Sequence, residues 1–161
     1  MKEKAVVRTN KPYRSAPSVF LRLFSVNEDG HETLIATSSP IPKIAAAEIC
    51  QIFEQPFTIA PSVDSLKAVL KIPGRTAWAS ATASEAQAAA LQACLQHDIR
   101  TAMGVLVMVT LSPDCAIVPS LKAVTNVIHR EAPSVIERTL VVGFDEGLYG
   151  QLWVDVLAVG L

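Results

Sequence analysis

Apolar positions in this chain fall into two rhythms, and the switch between them marks out its elements. Arg75 to Thr82 (RTAWASAT) alternates apolar and polar residues, the period of a strand with one covered face. AMGVLVMVT (Ala102 to Thr110) and QLWVDVLAVGL (Gln151 to Leu161) are apolar runs of strand length near a glycine, as in strands covered on both faces. Met103 to Leu111, Glu137 to Phe144 and Gln151 to Val159 are therefore read as strands, the last two joined by DEGLYG. Ser84, with Gln87 three residues on, reads as a capping box that opens an alanine-rich helix to about His97. Pro119 opens a second helix to about Glu131, and Pro133 stops it. The order from Arg75 is β-α-β-α-β-β. It predicts a two-layer α+β unit, a four-stranded mixed sheet with both helices on one face.

Upstream, Ser18 to Val26 and His31 to Thr37 flank Asn27-Glu28-Asp29-Gly30, which predicts a β-hairpin. SSPIP (Ser38 to Pro42) breaks the pattern. Pro42 suits the first turn of a helix to about Gln55, with Ile44, Ala47, Ile49, Ile52 and Phe53 as its apolar face. Pro56 stops that helix, Phe57 to Pro61 form a loop, and Ser62 caps a short helix through Leu70. Pro73-Gly74 then turns the chain. The expected division is an N-terminal arm and hairpin over 1–41 and one compact domain over 42–161.

Length and composition narrow the options. A chain of 161 residues fits a single core. The hydrophobic fraction is 50% and the mean hydropathy +0.35, yet no apolar run approaches the roughly 18–20 residues of a membrane helix. The basic N-terminus leads into a strand pattern and not a signal core, so a cytoplasmic protein with no membrane partner is expected. The extra apolarity means either a surface covered by a partner or second copy, or a large alanine-rich core. With 14 basic and 15 acidic residues and no basic block, no nucleic-acid partner is expected. Lys2, Lys4, Arg8, Lys11 and Arg14 read as a solvated, partly disordered arm.

Side chains able to do chemistry are sparse. Cys50 and Cys94 fall on apolar helical faces, and Cys115 stands in a turn after a strand. His31, His97 and His129 have no two-ligand spacing, so neither metal nor cofactor is expected. Trp78 and Trp153 lie in strands, where they either pack or meet a partner. The 7 glycines include no adjacent pair and no phosphate loop, so no nucleotide site of that kind is expected.

Taken together, ICQIFEQPFTIAPSVDSLKAVL (Ile49 to Leu70), AMGVLVMVT and QLWVDVLAVGL resemble the C-terminal domain of the FtsZ/tubulin family, in order and with compatible spacing. The resemblance runs from Ile49 to Leu161. It implies that the helix after Pro42 matches the end of the family's inter-domain helix. The segment before Ile49 is too short for the family's GTPase domain, which needs several βαβ units of roughly 30 residues. The expectation is a C-terminal domain alone. The chain also stops at Leu161, where the family continues into a tether-recruiting tail.

In that family the loop after the helix reads Asn-x-Asp-x-x-Asp and enters the neighbouring subunit's nucleotide site, where its acids help activate water. With Pro56 setting the register, Ala60 stands at the asparagine position and Ser62 and Ser65 at the aspartate positions, with Asp64 one residue short. A serine hydroxyl brings no negative charge there. Ser62 and Asp64 also read simply as a helix cap and a first-turn acid. The leading expectation is a non-enzymatic module that engages an FtsZ-like protein through Ala60, Ser62, Asp64 and Ser65 and modulates filament assembly or cell division. Two alternatives stand beside it. One is a self-assembling homo-oligomeric structural protein. The other is a small-ligand protein or enzyme with a site between subunits, for which Arg75, Arg100 or Arg138 would line the pocket.

Overall fold

The computed structural model of the chain describes residues 4–9, 18–54, 59 and 61–161. Its elements run β1 (Lys4–Thr9), β2 (Ser18–Val19), β3 (Leu21–Val26), β4 (Glu32–Thr37), β5 (Ile41–Pro42), α1 (Lys43–Glu54) and α2 (Val63–Leu70). There follow β6 (Thr76–Ala83), α3 (Ala86–Cys94), β7 (Gly104–Leu111), α4 (Ile117–Glu131), β8 (Glu137–Phe144) and β9 (Leu152–Val159). The last four strands form one mixed sheet in the order β6-β9-β7-β8. Only β7 and β8 are parallel, joined by the α4 crossover that a parallel pair requires. Helices α3 and α4 pack together on one face, so the predicted sheet and its two helices are present.

The strand pairing explains the composition. Every residue of the central strand β7 is buried, because both faces of the sheet are covered. The face under α3 and α4 carries Ala77, Ala79, Ala81 and Ala83 from β6 beside Val154, Val156 and Ala158 from β9. Helix α3 answers with Ala89, Ala90 and Ala93, all fully buried. Small residues on both sides let the helix sit close to the strand, so much of the alanine content is interior.

The opposite face carries Leu106, Met108, Val141, Leu157 and Val159. It is covered by α1 through Ala45, Ala46, Ile49 and Ile52, and by α2 through Leu66, Val69 and Leu70. Val7, Leu21, Leu23 and Ala36 from the N-terminal strands join the same cluster. The hairpin therefore folds onto the core.

Four readings of the sequence change. The expected arm contains a strand: β1 pairs with β3 along its whole length, because Ala5, Val6 and Val7 outweigh the charges around them. Arg8 pairs with Glu32 and lies 5.4 Å from the Phe24 ring centre. The first hairpin strand is split, since β2 leaves to pair with β5 while β3 pairs with β1 and β4. Helix α3 begins at Ala86 without a side-chain cap and ends at Cys94, so Ser84 forms no capping box and His97 lies beyond the helix. Strand β6 holds the chain extended through Ala83, which leaves Ser84 too early to cap. Helix α4 starts at Ile117, with Pro119 in its first turn, where a missing N–H costs nothing.

Both outer strands are partly plugged. The Gln96 side chain bonds the Ser80 backbone N–H (3.3 Å) and C=O (2.6 Å), closing part of the β6 edge. On β8, Ile59 exchanges two backbone bonds with Val142, at 2.7 and 3.1 Å. Such plugs discourage open-ended strand pairing.

Candidate functional site

The segment from Ile59 to Ser65 is held at three points. Ile59 is bridged to β8 and is 57% exposed. Ser62 adopts an extended backbone (φ −64°, ψ 156°) and its Oγ accepts the Ser65 N–H at 3.2 Å, which caps α2. Ser62 Oγ and Ser65 Oγ also lie 2.9 Å apart. The Ser65 carbonyl accepts from Thr139 Oγ1 at 3.1 Å, tying the first turn of α2 to β8. Asp64 is exposed in that turn, where an acid favours the helix dipole. Ala60 lies outside the described residues. Ser62, Asp64 and Ser65 thus share one helix start at the β8 edge, and both serines also serve the helix itself.

Burial marks Cys50 and Cys94 as packing residues. It raises both thiols, Cys94 to about 11, so neither offers a thiolate near neutral pH. Cys115 Sγ approaches the Gly150 carbonyl at 3.8 Å. Arg138 Nη2 lies 3.2 Å from His129 Nδ1. Arg100 holds Asp98 down to about 2 through side-chain and backbone hydrogen bonds. Among the described residues no group of three or more His, Cys, Asp or Glu could hold a metal ion.

The two tryptophans share one sheet face, since Trp78 stands opposite Leu157 and Trp153 opposite Thr82. Trp78 packs partly into the core, and Trp153 donates its indole N–H to Ser80 Oγ. Between them lies Asp155, which sequence reasoning passed over although it is the one acid in the apolar run QLWVDVLAVGL. Asp155 is 1% exposed, and its Oδ1 has no hydrogen-bond partner. Burial pushes its carboxyl up to about 6; Ser80 and Trp153 hydrogen bonds oppose the shift, while the charge of Glu48 on α1 adds to it.

No protein-family model matches the sequence, and no curated protein matches it. Solved structures match its fold. An FtsZ dimer from M. jannaschii superposes with a TM-score of 0.56 at 19% identity, over 74% of this chain and 40% of that one. A W319Y mutant of the same FtsZ gives 0.56 at 18% identity, over 74% and 40%. CetZ2 from Haloferax volcanii, in a GTPγS-bound protofilament, gives 0.54 at 15% identity, over 73% and 38%. The chain thus has an FtsZ-like fold and spans about 40% of the length of the FtsZ chains it matches.

Proposed function

We propose that this chain is an FtsZ C-terminal-domain-like module without a GTPase site of its own, which binds an FtsZ- or tubulin-like protein and modulates its assembly. The observation that carries this reading is a retained fold with serines where the resemblance calls for acids: Ser62 and Ser65 begin α2 beside an exposed Asp64. Docked against a neighbour's nucleotide face, such a surface fills the place of the next subunit and supplies no charge to orient water. The module would block growth or stall GTP turnover. The sheet face opposite α3 and α4 is packed against α1, α2 and the N-terminal strands.

Phosphate release from an FtsZ-like GTPase, mixed with this chain at matched binding, tests the reading. Wild type is expected to inhibit. The triple variant Ala60→Asn, Ser62→Asp, Ser65→Asp is expected to recover turnover in part. The helix should tolerate it, because aspartate caps as well as serine and an acid at the third helical position favours the dipole. Equal inhibition by both proteins would remove the loop from the contact, and absence of any binding would remove the reading.

A second reading is self-assembly. Ile44 is 66% exposed, Val118 75% and Tyr149 90%, and the structural neighbours include a dimer and a protofilament. Sedimentation velocity of the pure protein separates the two. A defined oligomer that leaves FtsZ-like turnover unchanged favours self-assembly.

A further inference from the structure

Where the N-terminal strands meet the four-stranded sheet, two clefts adjoin. One, of about 380 Å³, is lined by Pro42, Arg75, Thr76, Trp78, His97 and Asp98 among others. The other, of about 540 Å³, shares Pro42, Arg75 and Thr76 and continues toward Ser18 and Pro40. Both volumes lie in the range of small-molecule sites, which favour seams between structural units. The backbone around the clefts is tied at three places. Thr76 Oγ1 donates to the Pro40 carbonyl at 2.8 Å, joining the two units across the floor. The Arg75 carbonyl accepts from Leu161 N–H at 3.1 Å, and a Cβ on Gly74 would stand 3.3 Å from Gly160 Cα. The turn before Arg75 is thereby pressed against the end of β9.

The charges in the cleft are unevenly committed. Asp98 spends its carboxylate on Arg100, in two side-chain bonds of 3.0 and 2.8 Å. Arg75 has no carboxylate partner among the described residues. Arg75, His97, Trp78 and Pro42 line one cleft, and a guanidinium and an imidazole in the same lining as an indole and a proline ring suit a ligand with an anionic head and a flat apolar body. We propose that this cleft binds a small aromatic phosphate or carboxylate, with Arg75 and His97 on the anion and Trp78 against the ring. This site is independent of the loop at Ser62 and Ser65, so it stands or falls without the reading above.

Phenyl phosphate is the probe, and the indole N–H resonances of Trp78 and Trp153, assigned with Trp153→Phe, are the readout. A ligand of this size at ordinary ligand efficiency binds with a Kd of about 1 mM. Saturable displacement of the Trp78 signal is expected, with Trp153 unmoved. Arg75→Ala should weaken binding at least tenfold, and so should Arg75→Gln, which keeps the side chain's bulk. Both variants leave the backbone bond to Leu161 in place, and an unchanged Trp153 signal verifies the fold. The proposal is overturned by a shift that does not saturate, by equal binding to either variant, or by an equal response to phenol or inorganic phosphate alone.

Discussion

At the scale of single residues, the fold places an electrostatic cost on Asp155. Its carboxyl holds a proton to about pH 6 in the fold, whereas an unfolded aspartate releases it near pH 4. Folding therefore takes up a proton between those values. Stability falls as pH rises through that window and levels off above it, a loss of about 3 kcal/mol. Asp155→Asn keeps the shape and cannot ionise. Urea unfolding is expected to show the variant more stable than wild type by about 1–3 kcal/mol at pH 7.5. The two should converge near pH 4, and parallel pH profiles would contradict the assignment. Gly160 is a steric counterpart. Its φ is +69°, and a Cβ would stand 2.7 Å from Ile72 Cγ2 and 2.9 Å from Met103 Cβ. Because Met103 Cβ is fixed to the backbone, the clash cannot be relieved by rotation. Gly160→Ala should cost about 2–3 kcal/mol in chemical denaturation, while Gly150→Ala, which meets nothing within 4 Å, carries only the backbone strain of its φ of +81°.

At the scale of elements, α2 and α3 make a contrast. Helix α2 spans 8 residues and depends on its start, where Ser62 Oγ accepts one of the amides left over at a helix N-terminus. Helix α3 has no side-chain cap and is held by alanine packed on alanine. Ser62→Ala should therefore cost about 1 kcal/mol and speed amide exchange over Val63 to Leu66. Ser84→Ala should cost almost nothing. A loss at Ser84 matching that at Ser62 would mean the capping box forms after all.

At the scale of the whole molecule, the sheet is the shared floor of two apolar clusters, and the N-terminal strands belong to one of them. Leu23, fully buried in that cluster, lies far in sequence from Leu157, which shares it. Leu23→Ala should cost about 2–5 kcal/mol and lower one common melting transition, read alike by circular dichroism and by tryptophan fluorescence. A separate early transition in the variant would show instead that the N-terminal strands fold as an independent unit.

Periodicity together with proline and capping signals placed the strands of the four-stranded sheet, the four helices and the order β-α-β-α-β-β, but not the starts of α3 and α4. The unbroken apolar run of β7 reports directly that both its faces are covered, whereas β6, read as covered on one face, has Ala79 under α3 and Trp78 packed into the opposite cluster. The serine at the start of α2 was equally legible, because a cap is a local bond between near neighbours. Other features depend on partners distant in the chain. Whether Lys4 to Thr9 forms a strand depends on β3 lying beside it. The start of α3 is set by how far β6 stays paired with β9, and part of the open edge of β6 is closed at Ser80 by the Gln96 side chain. The burial of Asp155 and the cleft at Arg75, Trp78 and His97 arise only where separate segments converge. A sequence pattern records which face of an element is apolar; the identity of what covers that face is a tertiary fact, because it depends on contacts that no local period encodes.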